Sequence, residues 1–247
     1  MSETTTDEVA APRKILVIGA HPDDPEFGCG GACALWASQG HEIFYVVCTS
    51  GNMGTSESEM TGDRLSSIRE DEQRAAAHVI GAKKVYFLRQ PDCELTPSLE
   101  FRRSIVKAIR TVRPDVVMTH DPTTVYTDTS INHPDHQAVG HATLNAIYPT
   151  ARDRLNFPEH EEAGLLAHKV HEVLLWGTRE PNYWVEISSS FATKVAALVH
   201  HKTQIKDPVG LEERMRERHI ATAANYKGDG PAQEMSESFR RILLSQG

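Results

Sequence analysis

The sequence predicts an α/β fold, a three-layer, Rossmann-like doubly wound sheet, mostly parallel, with helices on both faces. Three observations carry this reading. Short apolar runs alternate with helical patterns from residue 14 to residue 148. The runs are nearly continuous rather than alternating, as strands covered on both faces require. Histidines and acids gather just beyond two of those runs, where open α/β sheets bind their ligands.

The elements follow in order. Residues 14–19 (Lys-Ile-Leu-Val-Ile-Gly) form the first strand. Residues 28–40 form a helix that Gly40 ends, with Gly28, Gly30 and Gly31 allowing its start to approach the sheet. Residues 41–49 are the second strand, and 50–62 a polar loop. Residues 64–80 are a helix with Ile68, Ala75, Ala76 and Val79 facing inward, and Gly81 stops it. A third strand (84–88) and a helix ending at Val112 before Pro114 lead to the fourth strand, 115–119. A loop over 121–132 feeds a helix over 136–148. The remainder reads as strands 170–176 and 183–187 and helices 191–205, 211–224 and 234–244. Right-handed crossovers make the layout doubly wound. Residues 1–12, polar and acidic, read as a disordered tail, neither signal peptide nor anchor. Residues 13–247 read as one domain with its last third a subdomain.

Composition narrows the function classes. A chain of 247 residues with 39% apolar and 24% charged residues can be stable without covalent staples. The net charge of −8 leaves no excess of cations to displace counterions from a nucleic acid. No stretch reaches the ~18 apolar residues of a membrane span, so a cytoplasmic protein acting on a small molecule is expected. Cys29, Cys33, Cys48 and Cys93 form no Cys-x-x-Cys pair and read as buried structural thiols. A Gly-x-Gly-x-x-Gly fingerprint is absent after the first strand, so the layout does not imply a dinucleotide.

In its place stands His21-Pro22-Asp23-Asp24, with His133-Pro134-Asp135-His136 far downstream. His21, Asp24 and His136 would give a metal two nitrogens and one oxygen and leave a position open, the arrangement of a catalytic zinc. Zinc lowers the pKa of bound water from ~16 to ~7. Asp23 is then the spare carboxylate, suited to general base. His133 is expected to stabilise an oxyanion or protonate a leaving amine as imidazolium, with Asp135 fixing its tautomer. Fe2+ or another divalent ion also suits such a donor set. The other histidines read as surface or packing residues, except His120, which ends the fourth strand near the expected pocket.

Ala20-His21-Pro22-Asp23-Asp24-Pro25-Glu26-Phe27-Gly28-Cys29-Gly30-Gly31 resembles the first signature of the LmbE / PIG-L-type zinc-dependent N-deacetylases, the family that includes mycothiol-pathway deacetylases. His133-Pro134-Asp135-His136 resembles the second. Arg69-x-x-Glu72 with Ala76 and Ile80-Gly81 resembles the intermediate helix, and Lys194, Ala197-Leu198, His201 and Thr203-Gln204 the C-terminal helix pattern. The resemblance implies one zinc per chain on His21, Asp24 and His136, Asp23 as base, His133 with Asp135 at the oxyanion, and Arg69 at the substrate pocket. It implies hydrolysis of the acetamide of an N-acetylglucosamine-type sugar, and related proteins often form homo-oligomers. Some members carry a tyrosine shortly before the second signature; here Ile131-Asn132 precede His133, and the nearest tyrosine is Tyr126. Two alternatives stand beside this expectation: a metal-dependent amidase acting on another N-acyl substrate, and a non-catalytic metal- or sugar-binding protein. A spare carboxylate at Asp23 counts against the last.

Overall fold

The structure is a computed structural model and describes residues 11–245. Of the tail expected over 1–12, residues 1–10 lie outside these. The first half alternates β1 (Lys14–Gly19), α1 (Asp24–Ser38), β2 (Glu42–Thr49), α2 (Gly62–Ile80), β3 (Lys84–Gln90), α3 (Leu99–Val112), β4 (Val116–His120) and α4 (Pro134–Asn145). The second half contains a short α5 (Pro158–Glu162), β5 (Glu172–Trp176), β6 (Tyr183–Glu186), α6 (Phe191–Leu198), α7 (Pro208–Ala224) and β7 (Ser236–Leu243).

Seven strands form one sheet in the order β3-β2-β1-β4-β5-β7-β6. The first five are parallel, and β7 runs antiparallel to both of its neighbours. Successive strands step outward from β1 to β3, then the chain crosses back to β4 on the other side of β1. That reversal is the topological switch point, where the loops leaving β1 and β4 part and open a crevice.

The apolar runs are continuous because the sheet has a core on each face. Ile15 and Val17 of β1 join Cys33, Ala76 and Leu198 of α1, α2 and α6. Leu16 and Ile18, on the opposite face of the pleat, join Ile105, Ile109 and Val139 of α3 and α4. Among the described residues no helix is long and apolar enough to cross a membrane.

The structure corrects one element. Residues expected as a final helix, 234–244, contain strand β7, inserted between β5 and β6. Met235, Phe239, Ile242 and Leu243 are spaced like a helical stripe, yet Phe239 and Ile242 serve opposite faces of the sheet. The period of two is masked because Ser236 and Glu237 are buried while being polar. The largest boundary shifts are in α1 and α6. Helix α1 starts at Asp24 rather than Gly28. Helix α6 stops at Leu198 rather than Ile205, because residues 199–206 turn away to bond with α1 and α2.

Glu237 explains the shape of α1. Cys29 has non-helical torsions (φ −151°, ψ 19°) that break the helix. The break leaves fresh N–H groups without an intrahelical acceptor. Those of Gly31 and Ala32 donate to the two Glu237 carboxylate oxygens at 2.9 and 2.8 Å. Lys194 Nζ neutralises that carboxylate at 2.6 Å and also donates to the Phe27 carbonyl at 3.1 Å. Both side chains are buried, and every polar atom of the pair finds a partner.

Candidate active site

The segment leaving β1 turns tightly before α1. Asp23 sits there with φ 99° and ψ −28°, in the left-handed region that asparagine and aspartate tolerate better than most residues. Such a residue costs of order 1–3 kcal/mol and persists only where its surroundings hold it. The turn separates two adjacent carboxylates. Asp24 opens the helix, and its Oδ2 accepts the His21 N–H at 2.7 Å. Asp23 is turned toward α2, where Arg69 NH2 reaches its Oδ2 at 3.2 Å.

His136 arrives on the first turn of α4, which Pro134 at the first helical position favours. Its Nε2 lies 3.2 Å from Asp24 Oδ1, and its Nδ1 is held by Asn132 Oδ1 at 3.0 Å. His21 Nδ1 lies 3.5 Å from Asp24 Oδ2, while its Nε2 faces Asp92 Oδ1 at 3.1 Å and Asp135 Oδ2 at 3.3 Å. One ligand atom from each of His21, Asp24 and His136 falls within 4.8 Å of the others. Each imidazole thus has one nitrogen fixed from behind and the other turned to a shared point, as metal-ligating histidines do.

These residues fit a divalent ion. The set is two nitrogens and one carboxylate oxygen, the donor mix of open catalytic zinc sites. His21, His133 and Asp135 form a second grouping of similar size. There Asp135 is already engaged by the N–H groups of Cys93 and Leu95 at 2.9 and 3.2 Å, which leaves it less to offer an ion.

Charge states follow from burial and crowding. Burial opposes the charge on His21, but hydrogen bonds to Asp135, Asp24 and Asp92 outweigh it and push its pKa up to about 12. Burial likewise opposes ionisation of Asp24, yet His136 and His120 hold it well below the usual carboxylate range. Asp23 is pushed up to about 6 by burial and the Asp24 charge, with Arg69 opposing. His133 lies below the usual imidazole value through burial and the charge on His21, so the environment disfavours the expected imidazolium. Its Nδ1 accepts the backbone N–H of Asp135 at 3.2 Å, which places its proton on Nε2. The Asp135 carboxylate points at His21 and the 93–95 backbone instead of at the His133 ring.

Arg69 is buried on α2 and donates to the Gly51 and Pro22 carbonyls at 2.8 and 2.6 Å as well as to Asp23. Gly51 is the residue this needs. Its φ is +61°, and a Cβ there would come within 2.3 Å of the guanidinium. Arg69 thus acts on the β1 and β2 loops and on Asp23.

Four further residues complete the site. His120, at the end of β4, stacks on His136 with ring centroids 4.1 Å apart and places Nε2 3.2 Å from Asp24 Oδ2. Trp176 Nε1–H donates to its Nδ1 at 3.1 Å, and burial lowers its pKa to about 4, so it is neutral. Asp92 follows β3 at the same sheet edge, and Asn132 precedes His136 by four residues; the strand-end rule and that spacing were the signals for them. Cys29, Cys33 and Cys48 are buried as expected, whereas Cys93 is exposed, its sulfur 3.8 Å from His133 Nε2. The turn that carries Cys93 is held at the surface by Asp135. Tyr126 is 65% exposed and pairs with Ile131 across the 121–132 loop.

A cavity of about 540 Å3 opens onto Asp24, His120, His133 and His136, with Thr124, Thr127 and Ser130 on its wall. That size is ordinary for a small-molecule site.

Comparisons with known proteins relate nearly the whole chain to deacetylases. The diacetylchitobiose deacetylase of Thermococcus kodakarensis is 32% identical over 230 residues, covering 93% of this chain and 83% of that protein. A 1D-myo-inositol 2-acetamido-2-deoxy-alpha-D-glucopyranoside deacetylase of Rhodococcus erythropolis is 30% identical over 259 residues, covering 82% and 85%. The N,N'-diacetylchitobiose deacetylase structure from Pyrococcus horikoshii, complexed with its inhibitor MPG, superposes with a TM-score of 0.84 at 29% identity, covering 94% of this chain and 85% of that one. A 4-carboxy-2-hydroxymuconate hydratase from Pseudomonas putida shares the fold at 20% identity and a TM-score of 0.75. Residues 16–147 match the family described as PIG-L, GlcNAc-PI de-N-acetylase. With both signatures on one crevice and these relatives along most of its length, the chain belongs to the PIG-L (LmbE-like) family.

Proposed function

We propose that the protein is a metal-dependent N-deacetylase that hydrolyses the acetamide of an N-acetylglucosamine-type sugar or glycoconjugate. The observation that carries this is the division of labour between neighbouring carboxylates. Asp24 is drawn into the His21 and His136 set, while Asp23 is turned out of it and stays available. A protein that merely bound a metal or a sugar has no use for that second, strained carboxylate. The names of the deacetylase relatives support the acetamide of an amino sugar as the bond cleaved.

His21, Asp24 and His136 would hold the ion, with zinc the choice favoured by the donors and Fe2+ compatible with them. When bound, a zinc ion supplies Lewis acidity toward the acyl oxygen and toward water. Asp23, at a pKa of about 6, is ionised at neutral pH yet basic enough to take a proton from the attacking water. It can then return that proton to the departing amine. His133 lines the cavity with its proton on Nε2, from which it would donate to the carbonyl oxygen as negative charge grows there. Water adds, the C–N bond breaks, and acetate and a free amine leave.

The test is acetate release from N,N'-diacetylchitobiose and N-acetylglucosamine, by chelated protein with and without added Zn2+. The reading requires metal-dependent release with stoichiometric amine. Zinc binding without any release would instead support a binding protein, and release only from acylated peptides would support an amidase of another class.

A further inference from the structure

We infer that Gln73 is a positioning residue for Asp23, kept in its working orientation by Glu26 and His201. The inference rests on the base role proposed for Asp23. The peptide joining Pro22 to Asp23 is gripped at both of its polar atoms by one face of α2. Arg69 donates to the Pro22 carbonyl at 2.6 Å, and four residues later Gln73 Oε1 accepts the Asp23 N–H at 2.9 Å. Residues four apart on a helix share a face, so the two grips act on one peptide plane. That plane sets the left-handed torsions of Asp23, and those torsions aim its carboxylate away from Asp24.

An amide can do this only in one of its two orientations. Gln73 Nε2 donates to Glu26 Oε1 at 2.9 Å. Turned over, the amide would set its NH2 against the Asp23 N–H and its oxygen against the Glu26 carboxylate, two repulsive contacts. Glu26 therefore selects the productive orientation. Glu26 is held in turn by His201, whose Nε2 lies 3.1 Å from Oε2. Gln73, Glu26 and His201 are each 0% exposed, so none touches substrate. They come from α2, α1 and the segment after α6, and they meet behind Asp23. Burying a carboxylate, an imidazole and an amide here is costly for packing alone, and this chain of contacts ends on Asp23, whose torsions are strained.

A double-mutant cycle on acetate release from N,N'-diacetylchitobiose, with zinc content measured for every variant, tests this. Gln73→Leu should lower kcat by about 10- to 100-fold with KM and bound zinc unchanged. In an Asp23→Asn background the same change should alter kcat by less than about twofold, because a residue acting only through Asp23 has nothing left to position. Glu26→Gln keeps the size and an acceptor but frees the amide to turn. It should give a smaller kcat loss with the same dependence on Asp23, and it carries the test if Gln73→Leu does not fold. An equal loss in both backgrounds, or a loss that resides in KM or zinc content, overturns the inference. An Asp23→Asn variant as active as the parent overturns the base role itself, and the inference with it.

Discussion

Helix α1 carries a buried charge cluster at its start and another at its kink, and the two are built oppositely. At the kink, Glu237 meets two N–H groups and Lys194, and every polar atom is satisfied within the protein. At the start, Asp24, Asp92 and Asp135 converge on His21 while His120 and His136 press on Asp24. Three carboxylates around one imidazole is more than folding requires. A closed cluster reads as a strut. One whose donors aim at a common point, with a spare acid beside it, reads as a place for an ion and a reaction.

This contrast can be broken in several ways. The largest effect is expected from Asp24→Ala. It should release the metal and cost at least about a thousandfold in kcat/KM, or more than ~4 kcal/mol of transition-state stabilisation. Elemental analysis beside acetate release measures it, and a variant that keeps its zinc would show the donor set to be wrong. Lys194→Met should behave in the opposite sense. Leaving Glu237 buried without its cation should destabilise the fold by about 3–5 kcal/mol, while kcat per folded molecule changes less than about twofold. Denaturant melts and assays at low temperature separate the two quantities. His133→Ala should retain the metal and lose about two to three orders of magnitude in kcat, the usual cost of one oxyanion donor; unchanged turnover would remove it from the reaction.

The smallest effect sharpens the structural side. His219 sits near the strut, its Nδ1 bonded to the Ser236 carbonyl at 2.9 Å. Burial, aided by Lys194, lowers its pKa from 6.5 to about 4. The unfolded chain therefore binds a proton that the folded chain refuses between those values. Its stabilising contribution is complete above pH 6.5 and is lost as pH falls toward 4, by up to about 3 kcal/mol. His219→Gln should flatten that part of the stability curve measured in urea; an unaltered acid limb would mean that another group sets it.

The parallel half of the fold was legible because its strands are apolar without interruption and end in recognisable turns. Convergence of His21, Asp24 and His136 was legible for the same reason: each lies a few residues beyond a strand or at a proline-started helix at one sheet edge. The rest was hidden where polar residues are buried. Arg69, Glu70 and Gln73 occupy the inward face of α2, so of the stripe expected from Ile68, Ala75, Ala76 and Val79 only Ala76 is fully buried and the other three lie to one side. Strand β7 was hidden by Glu237 and Ser236 in the same manner. Asp92 lies in a turn after β3 that only the folded backbone aims at His21, whereas His120, at the end of β4, was already legible near the pocket.

The place of β7 has a consequence for how the molecule comes into being. Among the described residues strand β6 has only β7 beside it, and the N–H groups at the break in α1 find their acceptor on the same strand. A chain emerging from the ribosome can lay down β1 to β5 as it lengthens, but it cannot lock the helix that bears Asp24 until residues near 237 have appeared. Competence therefore waits on the strand that carries Glu237, rather than growing steadily with the length of the nascent polypeptide.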